Sequence, residues 1–222
     1  MTFKKKIITL SSAAVLSLSV TLSAVAVSIP FKDLSDVPAK DKIISLQERG
    51  IVAGTSEGIF SPNSRVTTVQ ALHMLVKTLD LNLNLVRFAK EPKATDYFTK
   101  AVNDAWYANA LITASVNGVE VDKDIEMNRF WTKEQFTNTM VTAMERHYKL
   151  PLPKIMPPEI KDAGQMSEQY GGAIQRALIY GVAELDEEGN FYPKDEITRA
   201  EAAELLYNAV ELIKAHSEAA AD

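Results

Sequence analysis

Ile197-Thr198-Arg199-Ala200-Glu201 opens the last long apolar-periodic stretch of this 222-residue chain, and the fold is read outward from it. Thr198 followed three residues later by Glu201 forms a capping box: the hydroxyl accepts from the third helical N–H, and the carboxylate reaches back to the N–H of the Thr. Two imperfect copies lie upstream, with Thr67/Gln70 and Thr132/Gln135 as the paired positions. These six residues are predicted to start helices. Arg199 is different. A cation in the first turn faces the positive end of the helix dipole, so it becomes useful if an anion sits beside it at the helix N-terminus.

Walking back from each box shows a repeat. Gly181 precedes Thr198 by the same interval as Gly50 precedes Thr67, and Phe191 and Pro193 match Phe60 and Pro62. Asp33 and Asp162 open the two matching units. In the middle unit Asp96 takes that place, Trp106-Tyr107 enters the first helix, and Gly118 ends it; the Gly-x-Phe-x-Pro loop is missing and Asp122 to Asn128 fills the gap. Each unit reads as helix, glycine stop, loop, capped helix, with a left-handed C-cap expected at Gly50, Gly118 and Gly181. The second helices carry apolar residues at i, i+3, i+4 and i+7. One unit of about 50 residues cannot bury enough surface to stand alone. The expected fold is mainly α, three helix–loop–helix repeats sharing one bundle. The boundaries are 29–81 for the first repeat, 93–148 for the degenerate second, 149–159 for a Pro-rich spacer, 160–213 for the third and 214–222 for a frayed tail.

Residues 1–26 read as a signal peptide: Lys4, Lys5 and Lys6, then an apolar run, then Ala24-Val25-Ala26. Its removal takes the formal charge from -5 to about -8. Such an acidic chain is a poor match for nucleic acid or an anionic membrane. The absence of cysteine excludes disulfides, thiolate metal sites, cysteine nucleophiles and a lipidated cysteine. No second membrane-length apolar run follows, and Ala215 to Asp222 carries no anchoring pattern, so the chain is expected to be secreted and held to a surface non-covalently, with no membrane contact after cleavage.

His73, His147 and His216 have no two-His metal spacing, and neither a Gly-x-Ser-x-Gly motif nor a phosphate loop is present. Asp186-Glu187-Glu188-Gly189 lacks the alternating ligands of a calcium loop. The chain is expected to be no enzyme and to need neither metal nor cofactor.

The combined order, Phe-x-Asp, helix to Gly, Gly-x-Phe-x-Pro, Ile-Thr-Arg-Ala-Glu, resembles the S-layer homology module. Unit three matches closely, unit one in spacing, and unit two mainly through Trp106-Tyr107, Gly118 and Thr132; together they cover about 29–213. The resemblance implies a pseudo-threefold bundle that binds secondary cell-wall polysaccharide, often pyruvylated, on the peptidoglycan of Gram-positive bacteria, with grooves between adjacent modules. It gives Arg199 the acidic ketal as its partner. Lys133 stands at the same position in unit two and Thr68 in unit one; a lysine is a point charge and a threonine has none. Repeat three is therefore expected to bind best. Trp106, Tyr107 and Tyr170 are candidates for stacking on sugar, and Asp162 for ligand contact or for fixing its loop. Other surface-layer proteins are further candidate partners. The alternative expectation is an interaction protein on this fold whose sugar sites have decayed.

Overall fold

The computed structural model describes residues 29–220, so the signal-peptide reading of 1–26 lies outside the described residues. Among the described residues there are six α-helices: α1 Lys40–Glu48, α2 Thr68–Thr78, α3 Ala108–Val116, α4 Lys133–Tyr148, α5 Glu168–Ile179 and α6 Arg199–Ala219. Single 3-10 turns at Ala94–Asp96 and Ala163–Gln165 precede α3 and α5. The architecture is mainly α and repeats three times. Gly50, Gly118 and Gly181 follow the first helices with φ of +69°, +76° and +68°, the left-handed geometry that closes a helix.

The three capped helices start around one point. Val66 N–H donates to Ile197 O, Ile197 N–H to Trp131 O, and Trp131 N–H to Val66 O, each at 3.0 Å, so three strand-like bonds close a ring. The three side chains at these positions are almost fully buried. The next two N–H groups of each helix start go to another unit. Thr68 and Val69 donate to the carbonyls of Arg129 and Met127, Lys133 and Glu134 to those of Asp195 and Pro193, and Arg199 and Ala200 to those of Ser64 and Pro62. The capping boxes take the rest: Thr198 N–H donates to Glu201 and Glu201 N–H to Thr198 Oγ1, Thr132 and Gln135 exchange the same pair, and Thr67 N–H donates to Gln70 Oε1. This corrects the expectation of an anion seated on the helix N-terminus. The orphan donors that would bind it are already satisfied inside the protein.

From the ring the helices run side by side, and each packs on the first helix of the next unit: α2 on α3, α4 on α5, and α6 back on α1. Isolated helices shorter than about 12–15 residues are marginal in water, so α1 and α3, at 9 residues each, owe their existence to these seams. The seams differ in chemistry. α6 meets α1 through Lys42–Glu204 at 2.6 Å and Arg49–Glu211 at 2.7 Å. α5 grips α4 through a fork from Arg176 to both oxygens of Glu145. The nearly buried Glu134 accepts from Ser167 N–H, Ser167 Oγ and Lys194 Nζ, binding the start of α4 to unit three. The tail expected to fray from 214 is helical through Ala219, where Ile213 is buried and Ser217 Oγ donates to the Ile213 carbonyl.

Candidate functional site

The loops of units one and three are set by one device. Asp33 accepts from the N–H groups of Phe60 and Ser61 at 2.9 and 2.7 Å, and Asp162 from those of Phe191 and Tyr192 at the same two distances. The clamp holds Ser61 and Tyr192 at φ of 60° and 58°, a left-handed geometry that costs non-glycine residues energy. Burial acts to raise the Asp33 pKa, but the two N–H donors outweigh it and hold the carboxyl below its ordinary value. Asp162 thus places both carboxylate oxygens on its own loop, the loop-fixing of the two roles the sequence offered for it. Asp96 in unit two instead caps a 3-10 turn through Lys93 N–H.

The clamped loop of unit one receives Arg199. Its Nε donates to Phe60 O at 2.9 Å and its Nη2 to Ala53 O at 2.8 Å, while the guanidinium lies 4.5 Å from the Phe60 ring centre. Neither Glu196 nor Asp195 pairs with it. The residue is only 6% exposed. Burial lowers its pKa and nearby Asp33 opposes that, so the group stays a cation. Among the described residues Nη1 has no protein partner, and it is not among the buried unpaired atoms. Arg199 is both a staple between units three and one and a donor facing outward.

What it faces is a groove of 420 Å³ lined by the 51–55 backbone, Gln70, His73, Met74, Trp106 and Arg199. Apart from the histidine, Arg199 is the only ionisable side chain in this lining. Gly54 keeps one wall flat: a Cβ there would stand 2.6 Å from Ile59 O and 2.7 Å from Ser56 O. Trp106 is 64% exposed, and its indole is fixed edge-on by His73 at 5.5 Å and Tyr107 at 5.6 Å. Burial, with some help from Lys77, lowers the His73 pKa, so near neutral pH this ring is uncharged. The groove therefore offers one guanidinium, one exposed aromatic, a carboxamide and a neutral imidazole: donors for an acid beside a platform for an apolar sugar face.

The pseudo-equivalent positions have gone other ways. In the second groove, of 470 Å³, Gln135 and Asn138 match Gln70 and His73, and Tyr170 lines the far wall. Thr68 stands in the Arg slot, but it is buried; its hydroxyl accepts from the Trp131 indole N–H at 3.0 Å and donates to Glu126 O at 2.8 Å. This groove is lined by Glu120, Asp122, Asp124 and Glu126 against Lys100 and Arg129, so it opposes an acidic ligand. In the third position Lys133 Nζ rests 4.9 Å from the Phe191 ring centre, as Arg199 rests on Phe60. Glu204, which matches His73, is tied to Lys42.

Of the expected site residues, Arg199 and Trp106 thus share one groove with Tyr107 supporting the indole, Tyr170 lines a second groove, and Lys133 stands apart from both, over the Phe191 ring. His73, Gln70 as a lining residue, and the 53–55 backbone were not anticipated. Gln70 and His73 are three apart on α2, just below the helix start, and that spacing was the available clue.

The S-layer homology domain model matches residues 30–67 and 159–203, which carry the two clamped loops and the Arg199 helix start. Relatives include the exoglucanase XynX of Acetivibrio thermocellus, 30% identical over 186 residues, covering 83% of this chain and 16% of that protein. The amylopullulanase of Thermoanaerobacterium thermosulfurigenes is 28% identical over 183 residues, 82% of this chain and 9% of its own length. The surface-layer 125 kDa protein of Lysinibacillus sphaericus is 23% identical over 211 residues, 92% of this chain and 17% of its length. The chain spans at most 17% of the length of these three relatives. Each matched segment runs from an aspartate clamp through a glycine-stopped helix to the threonine that caps the next helix, and this chain carries the S-layer homology domain at both.

Proposed function

We propose that the chain binds acidic secondary cell-wall polysaccharide non-covalently at the bacterial surface, chiefly in the groove that Arg199 completes. The observation that supports this is the lining of that groove: a guanidinium with a free edge and an exposed indole, with no carboxylate among them. A pyruvyl ketal, a carboxylate fused to a sugar ring, matches both features. Binding is the task, and no catalytic step is assigned to the chain; the relatives named as enzymes are far longer than it.

Repeat three supplies the cation, but units one and two supply the walls, so the site belongs to the closed bundle. The full chain is sedimented with purified walls before and after removal of the secondary polymer. Retention on intact walls and release on stripped walls is expected; equal retention on both sinks the reading. Arg199→Lys, which keeps the charge and loses the fork, is expected to weaken retention more than Lys133→Ala.

A second reading has one specific observation behind it. The Thr68 slot is filled from within, and in unit three the residue matching His73, Glu204, is already paired with Lys42, so two of three sites differ from the Arg199 groove. On that reading the fold joins other exported or surface-layer proteins. A chain that stays in solution beside intact walls and co-purifies with such a protein would favour it.

A further inference from the structure

The Arg199 groove does not end at Trp106. A second hollow of 510 Å³ lies along the seam between α2 and α3, and both hollows are lined by His73 and Trp106. Each falls in the range of about 300–1,000 Å³ typical of ligand pockets. The second is lined by Lys77 and Asp80, whose charges offset, and by Asn84 and Asn109. Both asparagines are exposed, and among the described residues neither side-chain amide has a protein partner.

We propose that this hollow is a second subsite, taking the uncharged hydroxyl- and acetamido-bearing sugars that follow the acidic residue held by Arg199. It rests on the wall-glycan reading and deepens it. A polymer gripped by its acidic end must leave the first hollow, and the shared wall at Trp106 sets one route. The indole, braced edge-on by His73 and Tyr107, is the platform between the two subsites. The carboxamides of Asn84 and Asn109 both donate and accept, which suits sugar hydroxyls and amides and gives nothing to a second charge.

The experiment is calorimetric titration of the full chain with two probes. One is the methyl glycoside of a 4,6-O-pyruvyl N-acetylhexosamine. The other is a tetrasaccharide with that residue at its non-reducing end and three unmodified N-acetylhexosamines behind it. The tetrasaccharide is expected to bind at least about tenfold tighter, the step that one well-placed pair of hydrogen bonds gives. The double variant Asn84→Ala, Asn109→Ala is expected to erase that gain, leave the monosaccharide affinity unchanged, and melt like the parent because both sites are exposed. Equal affinity for the two probes, or a gain that survives in the double variant, overturns this subsite alone. Binding of neither probe by the folded chain overturns the wall-glycan reading, and this one with it.

Discussion

Arg199 resolves a conflict between a residue and its helix. Its place in the first turn of α6 runs against the dipole, and the cost is met by two carbonyls of unit one that lack other side-chain partners, plus the Phe60 ring. Thr68 shows the converse. At the same slot in the first repeat, the chain needs an acceptor for the buried indole N–H of Trp131, and a guanidinium there would supply only donors. The threonine at 68 is thus coupled to the tryptophan at 131, and is not simply a lost arginine. Replacing Thr68 by Val is expected to leave that indole unpaired and to lower stability by about 1–3 kcal/mol, read as a shift in the urea midpoint with an unchanged m-value. Thr68→Val with Trp131→Phe should recover part of the loss. These pairings were not legible in the sequence. Thr198 and Glu201 could be read because a capping box is local, whereas the partners of Arg199, Phe60 O and Ala53 O, are backbone atoms more than a hundred residues away and leave no mark in composition. Asp162 stayed open between two roles for a related reason: a carboxylate beside a groove and a carboxylate clamping a loop look alike in one dimension.

At the scale of elements, helix existence and helix stops were readable from periodicity and glycine, and the seams were not, since nothing in a periodic stripe says which helix it meets. The α4–α5 seam carries a testable pH response. Tyr180 donates to Glu145 Oε1 at 3.0 Å and lies 3.1 Å from Pro151 O. Burial, then the Glu145 carboxylate, push its pKa up to about 12 from the ordinary 10. The folded state therefore holds a proton that the unfolded chain releases near pH 10, so this contribution is whole below pH 10 and is lost between pH 10 and about 12. Urea midpoints measured at pH 9 and pH 11 should fall less for Tyr180→Phe than for the parent. A Phe variant with the same fall removes Tyr180 as the cause.

For the whole molecule, the sequence repeat and the packing unit are out of step. Each repeat reads helix, loop, helix, yet its second helix packs on the first helix of the next repeat, and α6 returns to α1. The repeats are interlocked, and a cut at either repeat boundary separates the partners of two of the three seams. A chain ending before Arg199 loses the partner of α1 and the two backbone donors, Arg199 and Ala200, that tie unit three to the unit-one loop. It is expected to unfold without a sharp cooperative transition, with α1 amides exchanging near the unstructured rate in hydrogen-exchange measurements. A truncated chain that melts cooperatively with protected α1 amides would show that the closure is dispensable.

The return of α6 onto α1 also bears on how the fold carries mechanical load. Lys42 meets Glu204 and Arg49 meets Glu211, so the two helices run in the same direction. Tension between the start of α1 and the end of α6 slides one helix along the other. Both ion pairs and the buried stripe between them are then strained together, where peeling would break them one at a time. A fold closed in this way resists dragging along the helix axis better than it resists peeling.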